Sequence, residues 1–155
     1  MAKVILIIGK ICVGKTTYAR QLAARGPAVI LSVDDFMLPL FGQRCERIEE
    51  KLSAVQDCLL RQAAAITSAG LDVILDWGFW SRADRAKAAG FLQRHGIPAE
   101  WHYLVIPEEA QRERIATRNR EIRAGLAAYA VSPGLARKCE MLFEEPEEIH
   151  ELKRI

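Results

Sequence analysis

The sequence is short of most features that would fix a function by composition alone. It has no long apolar run: the N-terminal stretch Val4 to Ile8 stops at Gly9, too short for a signal-peptide core or a membrane helix, so a cytoplasmic protein outside the membrane is expected. The four cysteines, Cys12, Cys45, Cys58 and Cys139, form no C-x-x-C pair and have no histidine at zinc-ligand spacing, which argues against a structural zinc or a disulfide framework. Neither sign of charge dominates. The 22 Lys+Arg against 20 Asp+Glu leave a net +2, which excludes a globally basic nucleic-acid coat but leaves room for a local basic patch. Repeats, low-complexity tracts and linkers are also missing. What is present is a chain of 155 residues, half of them hydrophobic, the profile of one globular domain that can build a core without covalent staples.

Four apolar segments recur along that chain, at Val4 to Ile8, Val29 to Val33, Leu71 to Leu75 and Trp101 to Ile106. Each is bounded by turn residues and followed by an amphipathic stretch long enough for a helix. Gly26-Pro27, Gly70 and Gly96-Ile97-Pro98 punctuate the helix ends, with Gly70 closing a long helix from about Lys51. Ser81 with Asp84 predicts an N-terminal cap, and Pro107-Glu108-Glu109 suits a first turn. Near-continuous β-branched runs alternating with helices predict an α/β protein with a doubly wound parallel sheet covered on both faces. After Pro146 only Glu147 to Ile155 remain, so any fifth strand is expected to be short.

The strongest motif is Gly9-Lys10-Ile11-Cys12-Val13-Gly14-Lys15-Thr16. It matches G-x-x-x-x-G-K-S/T at every fixed position, directly after the first predicted strand and directly before a helix. A chance match in a chain this long is on the order of half a per cent at average residue frequencies, and the flanking elements lower it further. The chemistry accounts for the spacing. Glycines let successive N–H groups wrap phosphate oxygens, and the helix behind adds its positive end. Lys15 then reaches the β- and γ-phosphates, the Thr16 hydroxyl suits Mg²⁺, and Thr17 sits near the α-phosphate. The expected cofactors are therefore ATP and Mg²⁺. Cys12 lies near a helix N-terminus, where a thiol pKa can fall, but a small apolar filler is the expected role.

Asp34 and Asp35 follow the second predicted strand and Asp76 the third, so a parallel sheet would bring all three to the carboxyl edge where the phosphate loop opens. Singly, such an acid is as readily a turn former. Together, beside a phosphate loop, they point to Mg²⁺ handling or to deprotonation of an acceptor hydroxyl. Asp34 is the candidate base and Asp35 the fallback. Asp76, a Walker-B-like acid, could hold the metal's water shell or orient the acceptor. Asp76-Trp77-Gly78 lacks the water-activating Glu of many ATP-driven motors, and no N-K-x-D base-reading motif is present, so transfer to a bound acceptor is favoured over hydrolysis.

Residues 112–123, RERIATRNREIR, hold five arginines and two glutamates. Helical spacing separates Arg114 and Arg118 from Arg112, Arg120 and Arg123. Taken alone, such a run is a solvated face; beside ATP, its arginines can spread the charge of a transferring phosphoryl group, with Arg118 as the catalytic candidate. Residues 124–134, with Tyr129 and Ser132-Pro133-Gly134, read as the tip or hinge of a flexible lid covering about 112–134. The aromatics Trp77, Phe79 and Trp80, with Phe36 across the sheet edge, serve either as core or as a substrate wall. Arg82 would be the anion anchor beside them.

The stretches GKICVGKTT, SVDDF, ILDWGFWSRADR and RERIATRNR together resemble the AAA-domain-like P-loop kinases, a group similar to zeta toxin, chloramphenicol phosphotransferase, gluconate kinase and polynucleotide kinase. The resemblance runs from Met1 to about Arg123 and weakly into residues 143–146. It implies a three-layer P-loop NTPase fold with strand order 2-3-1-4-5, a base role for Asp34, and phosphate or adenine contacts for Arg114, Arg118 and Arg120. Polynucleotide-type members carry an arginine soon after that Asp; here no basic residue follows until Arg44, which disfavours a nucleic-acid 5′-hydroxyl substrate. The expected activity is ATP-dependent phosphorylation of a small-molecule hydroxyl. The competing readings are an ATP-dependent switch or binding module and a nucleic-acid kinase. Neither the acceptor, the oligomeric state nor the ATP-over-GTP preference is legible.

Overall fold

Strand β1 (Val4–Ile8) is the middle of the molecule, and all five of its residues are buried. In the computed structural model, which describes residues 1–126 and 128–155, β1 is followed by α1 (Lys15–Ala23), β2 (Ala28–Ser32), α2 (Val33–Phe41), α3 (Ile48–Ser68) and β3 (Asp72–Gly78). Then come α4 (Arg82–Arg94), β4 (Ala99–Tyr103), α5 (Glu108–Arg123), α6 (Pro133–Leu142) and β5 (Leu152–Arg154). The five strands are all parallel, in the order β2-β3-β1-β4-β5. The expected order and short fifth strand are both present.

Alternation along β1 divides the core. Val4, Leu6 and Ile8 pack with Met37 of α2, Leu59 and Leu60 of α3, and Ala88 and Leu92 of α4, whereas Ile5 and Ile7 pack with Ala19, Tyr18 and Leu22 of α1. A strand with neighbours on both edges and helices on both faces has no polar side, which is why its sequence reads as an unbroken apolar run. A third cluster, Ile11, Cys12, Val131 and Cys139 with Ile115 and Leu135, seats α5 and α6 against the loop after β1. No described helix is long and apolar enough to cross a membrane.

Several boundaries move. Val33 opens α2 instead of closing β2, so Asp34 and Asp35 occupy a helical first turn, where carboxylates suit the positive helix end. β3 runs on to Gly78, so Asp76 lies within the strand, paired with Ile7 on one side and Ser32 on the other. β4 stops at Tyr103, three residues before the expected end. Within the expected lid stretch, Ser132 caps α6 by accepting from the Leu135 N–H at 3.1 Å, with Pro133 in the first turn. Within that stretch, Ala127 lies outside the described residues.

Candidate active site

At the carboxyl edge of the sheet, the loop between β1 and α1 bends through two left-handed residues, Cys12 (φ 58°) and Gly14 (φ 100°). A Cβ at Gly14 would also come within 2.9 Å of the Arg114 guanidinium and push it aside, and the positive φ is one that only glycine adopts without strain. The loop is gripped from outside. Buried Gln111 donates to the Ile11 carbonyl at 2.8 Å, Arg114 to the Val13 carbonyl at 3.0 Å, and the Gly9 N–H to the Gly78 carbonyl at 3.1 Å. Lys15 curls into the loop and donates to the Lys10 carbonyl at 2.7 Å. Burial pushes its ammonium below the usual lysine range, opposed by Asp76 and Asp34. This is a charge held in a poorly solvated ring of backbone dipoles, the arrangement an anion would relieve.

Thr16 donates its hydroxyl to buried Asp76 at 2.7 Å. Among the described residues no cluster of three or more His, Cys, Asp or Glu could hold a metal ion, so a cation here would rest on few protein oxygens. A hydroxyl and a carboxylate suit Mg²⁺, which keeps several waters and takes the rest of its shell from phosphates. The donor set fits that ion.

These groups line a cleft of about 290 Å³ together with Thr17, Asp34, Trp77, Trp80 and Arg118. Asp34 lines the cleft mouth and its side chain is exposed to solvent, although protein atoms surround it closely. Burial and the Asp76 carboxylate push its carboxyl up, and Lys15 and Arg118 only partly offset them. On the far side of the loop a second concavity of about 490 Å³ lies between α1 and α5, bounded by Thr17, Tyr18, Gln21, Arg114 and Arg118. Arg118 and Thr17 border both spaces.

The sequence-derived set therefore divides. Lys15, Thr16, Thr17, Asp34, Asp76, Trp77, Trp80 and Arg118 share one cleft. Asp35 and Phe36 are exposed on the outer side of α2 and do not line it. Arg82, expected as an anion anchor, instead turns to Glu148 at 3.7 Å. On α5, Arg112 pairs with Glu108 and Arg120 donates to Thr117 at 3.1 Å, both away from the loop. Cys12 is buried, and burial pushes its thiol up, so it acts as packing.

Sequence reading missed Leu52 and Gln56 of α3, one helical turn apart and both on the cleft wall. It also missed Arg85, 1% exposed. Arg85 donates to Glu148 at 2.5 Å and to the Phe79 carbonyl at 2.9 Å, fixing the exit of β3 where Phe79 adopts φ 48°. Its signal was available: Arg85, Ala88 and Leu92 share one face of α4, and a charge at a core position implies a buried partner.

The AAA domain family profile matches residues 4–131, and the chain belongs to that family. No curated protein sequence matches it significantly. Among solved structures it is similar to Kti12 of Chaetomium thermophilum in complex with ADP-AlF3, with 18% identity and a TM-score of 0.74 over 98% of this chain and 88% of that one. It is also similar to an unliganded sugar kinase from Janibacter sp. HTCC2649, at 16% identity and TM-score 0.70, over 100% and 85% of the two chains. A chain of the Pnkp1/Rnl/Hen1 RNA repair complex aligns at 16% identity and TM-score 0.74, over 97% of this chain but 47% of that one. At these identities the likenesses establish the P-loop NTPase fold.

Proposed function

We propose that the protein is an ATP- and Mg²⁺-dependent phosphotransferase that moves the γ-phosphoryl group of ATP to a hydroxyl of a small-molecule acceptor. In this reading residues 1–155 form a single kinase domain and about 112–134 its lid. The observation that carries it is the Asp34 carboxylate in the same cleft as Lys15, Thr16 and Asp76, placed where it can take the proton of an acceptor hydroxyl bound against the phosphate loop. The likeness to a sugar kinase supports it.

The chain's own groups supply the steps. The backbone amides of residues 9–14 and the N-terminus of α1 bind the phosphates. Lys15, released from the Lys10 carbonyl, neutralises charge that grows at the β,γ-bridge, and Arg118, between the two concavities, spreads charge on the transferred group. Thr16 and Asp76 would hold Mg²⁺, which when bound screens the phosphate oxygens. Asp34 accepts the acceptor's proton, and a carboxyl pushed up by its surroundings is a stronger base than an ordinary aspartate. The wide concavity beside Tyr18 and Gln21 suits a nucleoside, with Arg114 and Arg118 along its side. The test is incubation with ATP and pooled sugars, nucleosides and antibiotics, read by mass spectrometry. Phosphorylated product that depends on Asp34 supports the reading; ATP binding without product from any pool overturns it.

A further inference from the structure

Beside the phosphate cleft, and sharing Ile11, Asp34, Leu52, Trp80 and Arg118 with it, lies a smaller cavity of about 210 Å³. Its remaining walls are almost entirely apolar: Met37 and Ile48 from α2 and α3, and Val131 and Leu135 from the opposite side. The polar exception is Tyr129. Its hydroxyl is buried and is the side-chain polar atom without a hydrogen-bond partner among the described residues. The chain around it is held at both ends by side-chain amides. Gln43 donates to the Ala128 carbonyl at 2.6 Å and accepts from the Ala130 N–H at 3.1 Å, while Asn119 donates to the Val131 carbonyl and accepts from the Val131 N–H, both at 2.8 Å. Two double clamps thus fix a tyrosine whose hydroxyl has no partner among the described residues, and an orphaned buried hydroxyl is a standing cost that a ligand atom can recover.

We propose that this cavity takes the phosphoryl acceptor, and that the acceptor is a small uncharged alcohol with an apolar body about the size of one ring, its hydroxyl at Asp34 and a second polar atom at Tyr129. The inference rests on the phosphotransferase reading and narrows its substrate. Size sets the first limit, since an apolar cavity of about 150 Å³ holds benzene; this one has room for a ring with a short substituent. Charge sets the second. Arg118, the cation on its lining, also borders both nucleotide-side concavities, and an anionic acceptor would face the Asp34 carboxylate. Polarity sets the third: each extra hydroxyl of a polyol would lose its water against Met37, Leu52 or Leu135 with nothing to replace it. A nucleic-acid chain would need a cationic track for its phosphates, and the lining has none. In the step itself the acceptor oxygen bonds to the γ-phosphorus. The bond to the β,γ-bridging oxygen breaks with its electron pair leaving on ADP, and the acceptor proton passes to Asp34.

The test is kcat/KM with ATP for three acceptor classes: aryl-alkyl alcohols such as 2-phenylethanol, polyols and sugar acids such as gluconate, and 5′-hydroxyl oligonucleotides. Calorimetric titration of 2-phenylethanol into protein saturated with a non-hydrolysable ATP analogue runs alongside. The expected result is at least tenfold preference for the aryl-alkyl class, a further tenfold or greater rise in acceptor KM on Tyr129→Phe with the KM for ATP unchanged, and loss of 2-phenylethanol binding in Leu135→Asp with ATP analogue binding retained. Preference for polyols or oligonucleotides overturns this inference and leaves the phosphotransferase reading standing. Nucleotide binding without transfer to any class overturns both. Equal acceptor KM in wild type and Tyr129→Phe removes the tyrosine from the proposal.

Discussion

Two acidic centres lie at opposite edges of one sheet, and the fold treats them in opposite ways. At the amino edge, Glu100 of β4 accepts from Lys3 at 2.7 Å, from His102 Nε2 at 2.7 Å, and from Lys153. His102 Nδ1 in turn meets the Tyr18 hydroxyl at 2.7 Å. Burial works to raise the Glu100 carboxyl, and the hydrogen bonds from Lys153, Lys3 and His102 overcome it and hold the group at about 2. At the carboxyl edge, Asp34 is pushed up by burial and by Asp76, Lys15 is pushed down, and Phe79 stands in a left-handed conformation. One edge satisfies its charges and the other leaves them strained. Unrelieved charge and backbone strain persist only where the surrounding structure over-determines them, and they gather where a ligand is to be bound.

Breaking the strained edge should therefore cost activity and not stability. Lys15→Ala has the largest expected effect, a loss of transfer of about a thousandfold, since it removes a preorganised charge from the most anionic part of the transition state. Steady-state phosphorylation assays on a variant with an unchanged circular dichroism spectrum check this, and near-wild-type rates would remove the loop from the mechanism.

Asp34→Asn comes next and sharpens the contrast because its two effects have opposite signs. Transfer falls about a hundredfold or more while the KM for ATP holds, the usual scale for losing a positioned base. In metal-free buffer the same variant melts slightly higher than wild type, the gain kept small because the Asp34 side chain reaches solvent and stands in the first turn of α2. The sign follows from linkage: a folded-state pKa above the unfolded value makes the charged carboxylate a penalty at neutral pH, present above the folded pKa and relieved as pH falls toward the unfolded one. The gain in Tm should thus shrink on acidification. An Asp34→Asn protein that is inactive but less stable at pH 7 would make Asp34 a structural acid. Arg118→Ala is smaller, about a tenfold fall in kcat/KM for ATP, the scale of one charged hydrogen bond.

The sequence made one edge of this comparison legible and hid the other. That the phosphate loop, Asp34, Asp76 and Arg118 share one cleft was legible because their placement is tied to local spacing: a fixed motif, strand ends and a helical repeat. The strand order, by contrast, came from family resemblance, since short apolar runs carry no information on which neighbours they choose. Phe36 and Arg82 lie off the cleft for one reason. Nearness in sequence to a strand end does not say which way a side chain turns once a helix begins there, and α2 and α4 both begin within a few residues. The Glu100 hub was invisible because its partners are Lys3, His102 and Lys153, the outer two separated from Glu100 by 97 and 53 positions. Nothing in local pattern announces an ion network assembled from β4, β5 and the residue before β1. Tyr129 escaped assignment in the same way, since its neighbours come from α2, α3 and α6.

Glu100→Gln is the converse experiment, and its effect is the smallest on activity. The substitution keeps the shape and leaves Lys3 and Lys153 without their counter-charge. A carboxyl held at about 2 against an ordinary 4.5 contributes stability that is fully present above the unfolded pKa and is lost as pH falls from about 4.5 toward 2. Because the lysine partners are partly exposed, the net worth is discounted to on the order of 2 kcal/mol. Urea melts at pH 7 should show that loss, and the difference between wild type and variant should close on acidification below pH 4, the reverse of the trend for Asp34→Asn in sign though not in direction of pH. Transfer rates at a temperature where both proteins are folded should agree within about twofold. Tyr18 of α1 links this hub to the concavity between α1 and α5, so a large change in the KM for ATP in Glu100→Gln would mean that the two edges are coupled, and that the division between a stabilising edge and a working edge is false.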